Sequence, residues 1–381
     1  MANKSCSKTS VIDSMRGQTV RIPNLKRVFD GFPAGVNPHY KRMIPMVNRK
    51  LESCVSDERV ITEMKKADFA LGAASIWPRA AWDEYLVLTY LCLLVFVWDD
   101  EIDMPAAPLA SDFQAAQSFR RETVNFVKSS LGFGEKGVVS RSRSATISSF
   151  ELISGPLRKV YTRDQLASFL HELTFSLEMS QVEQEYSLSD RIPTISEYWA
   201  FRMGTSGVGP FLAMAEYSIR SRLPRPIINS PEMKVIWDET NLMMSLINDI
   251  LSVKKEVVSP ARPCPSSTNF VLLETDLPLL QRQVAGSILG LVPLLCMQNP
   301  DAQAAVDSAV KALHDSVKRF RNAEGQLLRR TARDAKTQET LRNYINVCKE
   351  NVTGFLNWCS RTPRYGMAGN VEKDGSMLIT L

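Results

Sequence analysis

The sequence is short of several things, and each shortage removes a class of function. It has only three histidines, at positions 39, 171 and 314, and none sits beside a cysteine or an acidic cluster. They are read as structural. The seven cysteines (6, 54, 92, 264, 296, 348 and 359) are scattered, odd in number and never spaced CxxC. That pattern argues against a disulfide framework or a zinc site and points to a reducing, cytoplasmic setting. The opening stretch MANKSCSKTSVIDSMRGQ has no apolar core, so no signal peptide is expected. No run is long and apolar enough to span a bilayer, which takes roughly 18–20 residues. Tyr85–Trp98 stops at fourteen, and Gln283–Pro300 is broken by Pro293, two glycines and polar residues. Neither charge sign dominates: 46 basic against 41 acidic residues give +5. That is too weak to imply nucleic acid, though it permits a small anionic substrate. Strand signals are nearly absent; no alternating β-branched run closes on an Asn-Gly type turn.

What remains is globular and helical. The 381 residues are 44% apolar and 23% charged, which excludes disordered and low-complexity classes. Length alone would allow two or three domains, but no internal boundary is visible. The expected organisation is an N-terminal arm over 1–40, partly disordered, one α-helical domain over 41–366, and a tail over 367–381. Helices are expected over Ala67–Trp77, Trp82–Asp103, Arg158–Glu185, Pro231–Val257, Pro278–Met297, Asp301–Leu328 and Thr337–Ser360. Loops are expected over Gly132–Gly137, Leu223–Pro231 and the Pro-rich stretch Ser259–Thr268. Thr194 and Glu197 form a capping box that opens the helix carrying Arg202, and Gly204, Gly207, Gly209 and Pro210 then interrupt it. The fold class is all-α: a single bundle of about ten or more helices around one core.

Two constellations carry chemistry. Asp99-Asp100-Glu101-Ile102-Asp103 closes the most apolar helix, and Asp99 and Asp103, four apart, share a face. Carboxylates at a helix C-terminus oppose the macrodipole, so local stability does not choose them. A hard divalent cation would offset the cost. Alone, the string also reads as a solvated acidic helix end. The second constellation is Asn248, Ser252 and Glu256, at successive i+4 steps on a helix that is otherwise apolar. Amide oxygen, hydroxyl and carboxylate make a stripe suited to a magnesium ion that arrives with phosphate, and Lys255 beside it can donate to phosphate. Alone, that stripe also reads as a hydrogen-bond ladder between helices.

Together, the DDxxD and the NDxxSxxKE strings resemble the class I terpene synthases in their short fungal and bacterial single-domain form. Further matches extend the resemblance over roughly residues 38–366. Arg202 stands 46 residues before Asn248, where that family has a diphosphate-sensing arginine. Arg364-Tyr365 follows Trp358 by six residues, as the family's C-terminal Arg-Tyr pair follows a tryptophan. Tyr198, Trp199 and Phe201 around Arg202 favour a buried setting for it.

The resemblance implies an enzyme that ionises a prenyl diphosphate and steers the carbocation to a cyclised hydrocarbon or alcohol. It implies three Mg²⁺ ions, held by Asp99, Asp103, Asn248, Ser252 and Glu256. Arg202, Lys255, Arg364 and Tyr365 would clamp the diphosphate. An apolar aromatic pocket would shield the cation, with Phe96, Trp358, Trp77, Phe69, Phe201 and Phe211 as candidates. A fifteen-carbon farnesyl substrate is expected, with a twenty-carbon geranylgeranyl chain as the alternative, and the protein would act as a monomer or homodimer. A chain-elongating prenyltransferase shares the fold but normally carries a second aspartate-rich motif instead of NDxxSxxKE. The DxDD acid of protonation-initiated cyclases does not occur. A non-catalytic helical scaffold is the reading from a different class.

Overall fold

The computed structural model of the chain describes residues 7–104, 107–134, 141–258 and 287–381. The architecture is all-α, as expected. In chain order the principal helices are α1 (Lys8–Met15), α2 (Tyr40–Cys54), α3 (Glu58–Lys66), α4 (Phe69–Ile76) and α5 (Trp82–Asp103). Then come α6 (Phe113–Ser130), α7 (Glu151–Val160), α8 (Arg163–Leu188), α9 (Ile195–Thr205) and α10 (Val208–Ala213). The last four are α11 (Pro231–Val258), α12 (Leu291–Cys296), α13 (Ala302–Arg330) and α14 (Ala335–Cys359).

The two helices that carry the motifs are central because their sequences leave them no other place. α5 buries Tyr85, Leu88, Leu91 and Cys92 on one side and Val87, Leu94 and Trp98 on others. A helix apolar nearly all round must sit inside the bundle. α11 buries Met243, Met244, Leu246, Ile247, Ile250 and Leu251, and packs between α13 and α14. α14 in turn lies on α4 at very close range. A Cβ on Gly354 would fall 2.1 Å from the Ser75 carbonyl oxygen, so glycine alone permits the approach. The break after α9 is as expected. Gly207 adopts φ +67, a left-handed conformation that glycine takes without strain, and α10 restarts one residue later.

Several expectations need correction. The stretch expected as a loose arm is structured from residue 7: α1 buries Val11, Ile12 and Met15, and Thr19–Ile22 forms a strand, β1. The stretch expected as a tail supplies its partner, β2 (Met377–Thr380), antiparallel with Val20 opposite Ile379. Each strand is only four residues long, too short to stand out as an alternating pattern. The helix expected over Arg158–Glu185 is two helices. Tyr161 turns to extended backbone, and Thr162 opens α8 in a capping box with Gln165. Of the helix expected over Pro278–Met297, residues 278–286 lie outside the described residues, and helix is found over Leu291–Cys296. The Pro-rich 259–268 stretch also lies outside them. Among the described residues no helix is long and apolar enough to cross a membrane.

Replacing Gly354 by alanine should force α14 and α4 apart at a cost of about 1–3 kcal/mol. Gly155, whose Cβ position is open, should accept alanine without loss. Thermal denaturation of the two variants checks the contrast; equal melting temperatures would contradict it.

Candidate active site

The α5 and α11 motifs meet through buried polar groups. At the end of α5, Asp100 is buried and accepts two hydrogen bonds from Arg364, at 3.0 Å from Nη1 and 2.6 Å from Nη2. This is the bidentate fork that arginine makes with a carboxylate. Tyr365, the next residue, accepts from Asn248 Nδ2 at 3.0 Å. Asn248 Oδ1 accepts from Arg202 Nη2 at 2.7 Å, and that same nitrogen donates to Asp249 Oδ1 at 2.9 Å. Tyr198, one turn before Arg202, donates to Asp249 Oδ2 at 2.5 Å. One hydrogen-bonded chain therefore links α5, the turn after α14, α11 and α9. Farther along α11, Ser252 Oγ donates to Glu256 Oε1 at 2.5 Å.

The electrostatics mark the place as one that lacks positive charge. Burial, then Asp100 and Glu183, push the Asp99 carboxyl up to about 7, against Arg364 and Arg202. Burial, with Asp99 and Glu183, also raises Asp103 well above the usual carboxylate range, against Arg120. Burial and Asp249 push Glu256 up to about 7, opposed by Ser252, Arg202 and Lys255. Loss of water and nearby Arg364 hold Lys255 below its ordinary value, against Asp100, Glu256 and Asp99. Asp103 and Lys255 keep accessible surface, yet enough protein surrounds each for desolvation to dominate. For Arg364, burial acts downward but Asp100 outweighs it, so the guanidinium stays charged.

The sequence reading singled out Arg202, Arg364, Tyr365, Asn248, Asp99 and Lys255, and the structure brings these together. Their present partners differ from the expected ones: both arginines hold carboxylates, and the Asn248 oxygen is held by Arg202. The aromatic candidates divide. Phe96, Phe69 and Trp358 form one cluster, with ring centroids 5.0–5.9 Å apart, and Tyr365 meets Trp358 edge-on at 5.9 Å. Within it only Phe96 keeps appreciable accessible surface. Phe201 packs on Tyr186 and Tyr198. Trp77 pairs with Phe211 and borders a cavity of about 260 Å³ near the opposite end of α5, lined also by Arg79, Arg220 and Glu350. Of the six candidate rings, three form one cluster under the motifs and the others make their ring contacts at two separate places.

Residues that sequence reasoning missed complete the site. Asp249 was hidden beside Asn248, although its neighbour's spacing to Arg202 was legible. Glu183 on α8 faces Arg202, Asp99 and Asp103. Nothing in its sequence context separates it from the other glutamates nearby. Arg120, buried on α6, holds Ser180 through Nε and Nη2 and opposes Asp103.

The donor set fits a hard cation. All candidate ligands offer oxygen, and the carboxylates Asp99, Asp100, Asp103, Glu183, Asp249 and Glu256 outnumber the cations Arg120, Arg202, Lys255 and Arg364. Two buried polar atoms, Arg202 Nε and Glu256 Oε2, have no hydrogen-bond partner. Among the described residues no three His, Cys, Asp or Glu side chains close around a point.

Fold and site thus define an α-helical bundle that gathers carboxylate and cationic side chains beside a buried aromatic cluster. Residues 90–276 match the family model "Terpene synthase family 2, C-terminal metal binding". The chain is 29% identical to "Sesquiterpene cyclase hepA" of Aspergillus oryzae, over 93% of this chain and 90% of that one. It is 26% identical to "Silphinene synthase peniA" of Penicillium patulum, over 93% and 87%. Among solved structures it resembles a-eudesmol synthase (TM-score 0.69, 17% identity, 86% of this chain and 97% of that one). It likewise resembles hedycaryol synthase (TM-score 0.68, 19% identity, 90% and 99%). The matched domain and the curated relatives are those of terpene synthases, consistent with a class I enzyme, a lyase.

The raised carboxyls predict how stability responds to pH. In the folded protein Asp99 and Glu256 keep their protons to about pH 7; in the unfolded chain they release them near pH 4. Their contribution is therefore complete below about pH 4 and is lost as pH rises through 7. Without metal, the melting temperature should fall by a few degrees between pH 5.5 and 8.5. Asp99→Asn should flatten that fall. A variant that follows the wild-type curve would remove Asp99 as its source.

Proposed function

We propose that the protein ionises farnesyl diphosphate with Mg²⁺ and cyclises the resulting cation to a sesquiterpene hydrocarbon or alcohol, releasing diphosphate. The observation that carries this reading is the polar chain from Asp100 to Tyr198, which sets both motifs around one site. The names of the fungal relatives favour a fifteen-carbon substrate.

Asp99 and Asp103 on one side, and Asn248, Ser252 and Glu256 on the other, would hold the magnesium. Bound magnesium would neutralise the charge that develops on the diphosphate as the allylic C–O bond breaks. Around it the chain's own groups act by position. Arg202 has an unpartnered Nε to offer the leaving group. Arg364 and Lys255 supply positive charge beside Asp99. Phe96 presents its ring next to Arg364, whose guanidinium lies 5.9 Å from the centroid, and next to Trp358 and Phe69. Such rings attract a carbocation by about 0.5–2 kcal/mol each and exclude water from it. No separate general base is required, because the released diphosphate can take the final proton.

Incubation with farnesyl diphosphate and Mg²⁺, followed by mass spectrometry of the volatiles, should give a cyclic fifteen-carbon product. Longer diphosphates, formed only when isopentenyl diphosphate is added, would overturn the reading in favour of chain elongation. Asp99→Ala, Asn248→Ala and Arg202→Met should each lower turnover by about 10²-fold or more. Circular dichroism should show their helix content intact, which separates lost chemistry from lost fold.

A further inference from the structure

The back of the site rests on a segment too short to hold itself. Gly290 lies so close to Glu256 that a Cβ there would fall 2.6 Å from Oε2. The Leu291 amide donates to Asp249 Oδ2 at 3.3 Å. Both residues open α12, which has six residues. A helix of that length has no stability of its own in water. Its placement must come from what packs on it.

Residues 8–22 supply that support at several points. α1 packs on α12 while burying Val11, Ile12 and Met15. Just past α12, Gln18 donates to the Pro300 carbonyl at 2.9 Å and accepts from the Ala302 amide at 2.9 Å. Arg21 and Gln303 exchange a pair of hydrogen bonds, at 2.7 and 3.0 Å. The same stretch reaches the helices that carry site residues. Lys8 Nζ donates to the Tyr186 carbonyl at 2.5 Å and the Ser189 carbonyl at 2.6 Å, at the C-terminal end of α8, just beyond Glu183. Arg16 Nε makes a long contact, 3.5 Å, with the Val257 carbonyl, one residue past Glu256. Carbonyls at a helix C-terminus lack intrahelical partners and favour a cation. Finally, β1 pairs with β2, the strand that follows Arg364-Tyr365 in the chain.

We propose that residues 8–22 are a strap that positions the metal-binding end of the site, with Lys8 and Gln18 as its polar anchors. The strap fixes α12 behind Asp249 and Glu256 and ties the end of α8 to it. Lys8 and Gln18 are positioning residues, because the partners named above are backbone groups of the supporting segments. The functional side of this inference rests on the proposed reading of the site.

The test is a Lys8→Met, Gln18→Ala double variant of the full chain, probed with Mg²⁺ plus inorganic pyrophosphate. Its melting temperature without ligand should stay within a few degrees of wild type. The rise produced by saturating Mg²⁺ and pyrophosphate should drop to less than half the wild-type rise. Amide exchange at Leu291 and along 250–257 should quicken by about tenfold or more. Lys8→Arg, which keeps the cation, should restore most of both readings when combined with native Gln18. A full wild-type rise with unchanged exchange would overturn the strap. If the double variant does not fold, the same two readings on Lys8→Met alone decide the matter. If the wild-type protein itself shows no rise, the functional reading fails, and the strap is judged on exchange alone.

Discussion

The constraint on which the rest depends is that charges buried inside the bundle must find partners. Asp100, Arg364, Arg202 and Asp249 all sit where water is scarce, and leaving any one of them alone would cost several kcal/mol. Each therefore fixes the distance between the elements that carry it. Asp100 and Arg364 tie the end of α5 to the turn after α14. Arg202 and Asp249 tie α9 to α11. Tyr365 and Asn248 join the two pairs. Apolar packing brings these helices into one bundle, but packing tolerates small sliding; a chain of directional hydrogen bonds does not.

This arrangement also explains why acidic residues stand at the end of the most apolar helix. Apolar sequence drives α5 into the interior, and its last turn carries three aspartates, of which Asp100 is buried, Asp99 half-buried and Asp103 exposed. One of them, Asp100, is neutralised by Arg364. Asp99 and Asp103 are not, and Glu183 across from them adds to the deficit. The folded protein responds by raising their proton affinity. Protons and hard cations compete for the same oxygens, so a site that holds protons this tightly at neutral pH is also one that metal binding would relieve.

Much of this was legible in the sequence. α5 and α11 were bounded to within a residue, because proline loops and long apolar runs delimit them. The DDxxD and NDxxSxxKE strings and the interval to Arg202 located the residues that meet. What was not legible depends on contacts distant in the chain. The capping box at Thr162 was overlooked inside what reads as one helical run. β1 and β2 lie at opposite ends of the sequence, and neither has a pattern until the other pairs with it. Glu183 and Arg120 are ordinary helix residues until α8 and α6 turn them inward. The aromatic candidates divide for a related reason. Composition can name large rings, but whether a ring lines a hollow or fills core depends on which neighbour it meets, and Trp77 meets Phe211.

The unfinished pairings are as informative as the finished ones. In a well-packed interior nearly every buried polar atom has a partner, since an orphan costs about 1–3 kcal/mol. Arg202 uses Nη2 twice, on Asn248 and Asp249, while its Nε has none. Glu256 accepts a hydrogen bond from Ser252 on one oxygen and leaves the other without a partner. A donor and an acceptor left in one site, one on α9 and one on the α11 helix that holds the second motif, are not a packing error that one could cure by pairing them. Their needs are opposite in sign: an anion for the arginine, a cation for the glutamate. A ligand that brings both at once, a phosphate group with its metal, answers each where a neutral or singly charged molecule would answer one and aggravate the other. The site is thus held together by pairings that are nearly sufficient, and it is incomplete at those two atoms.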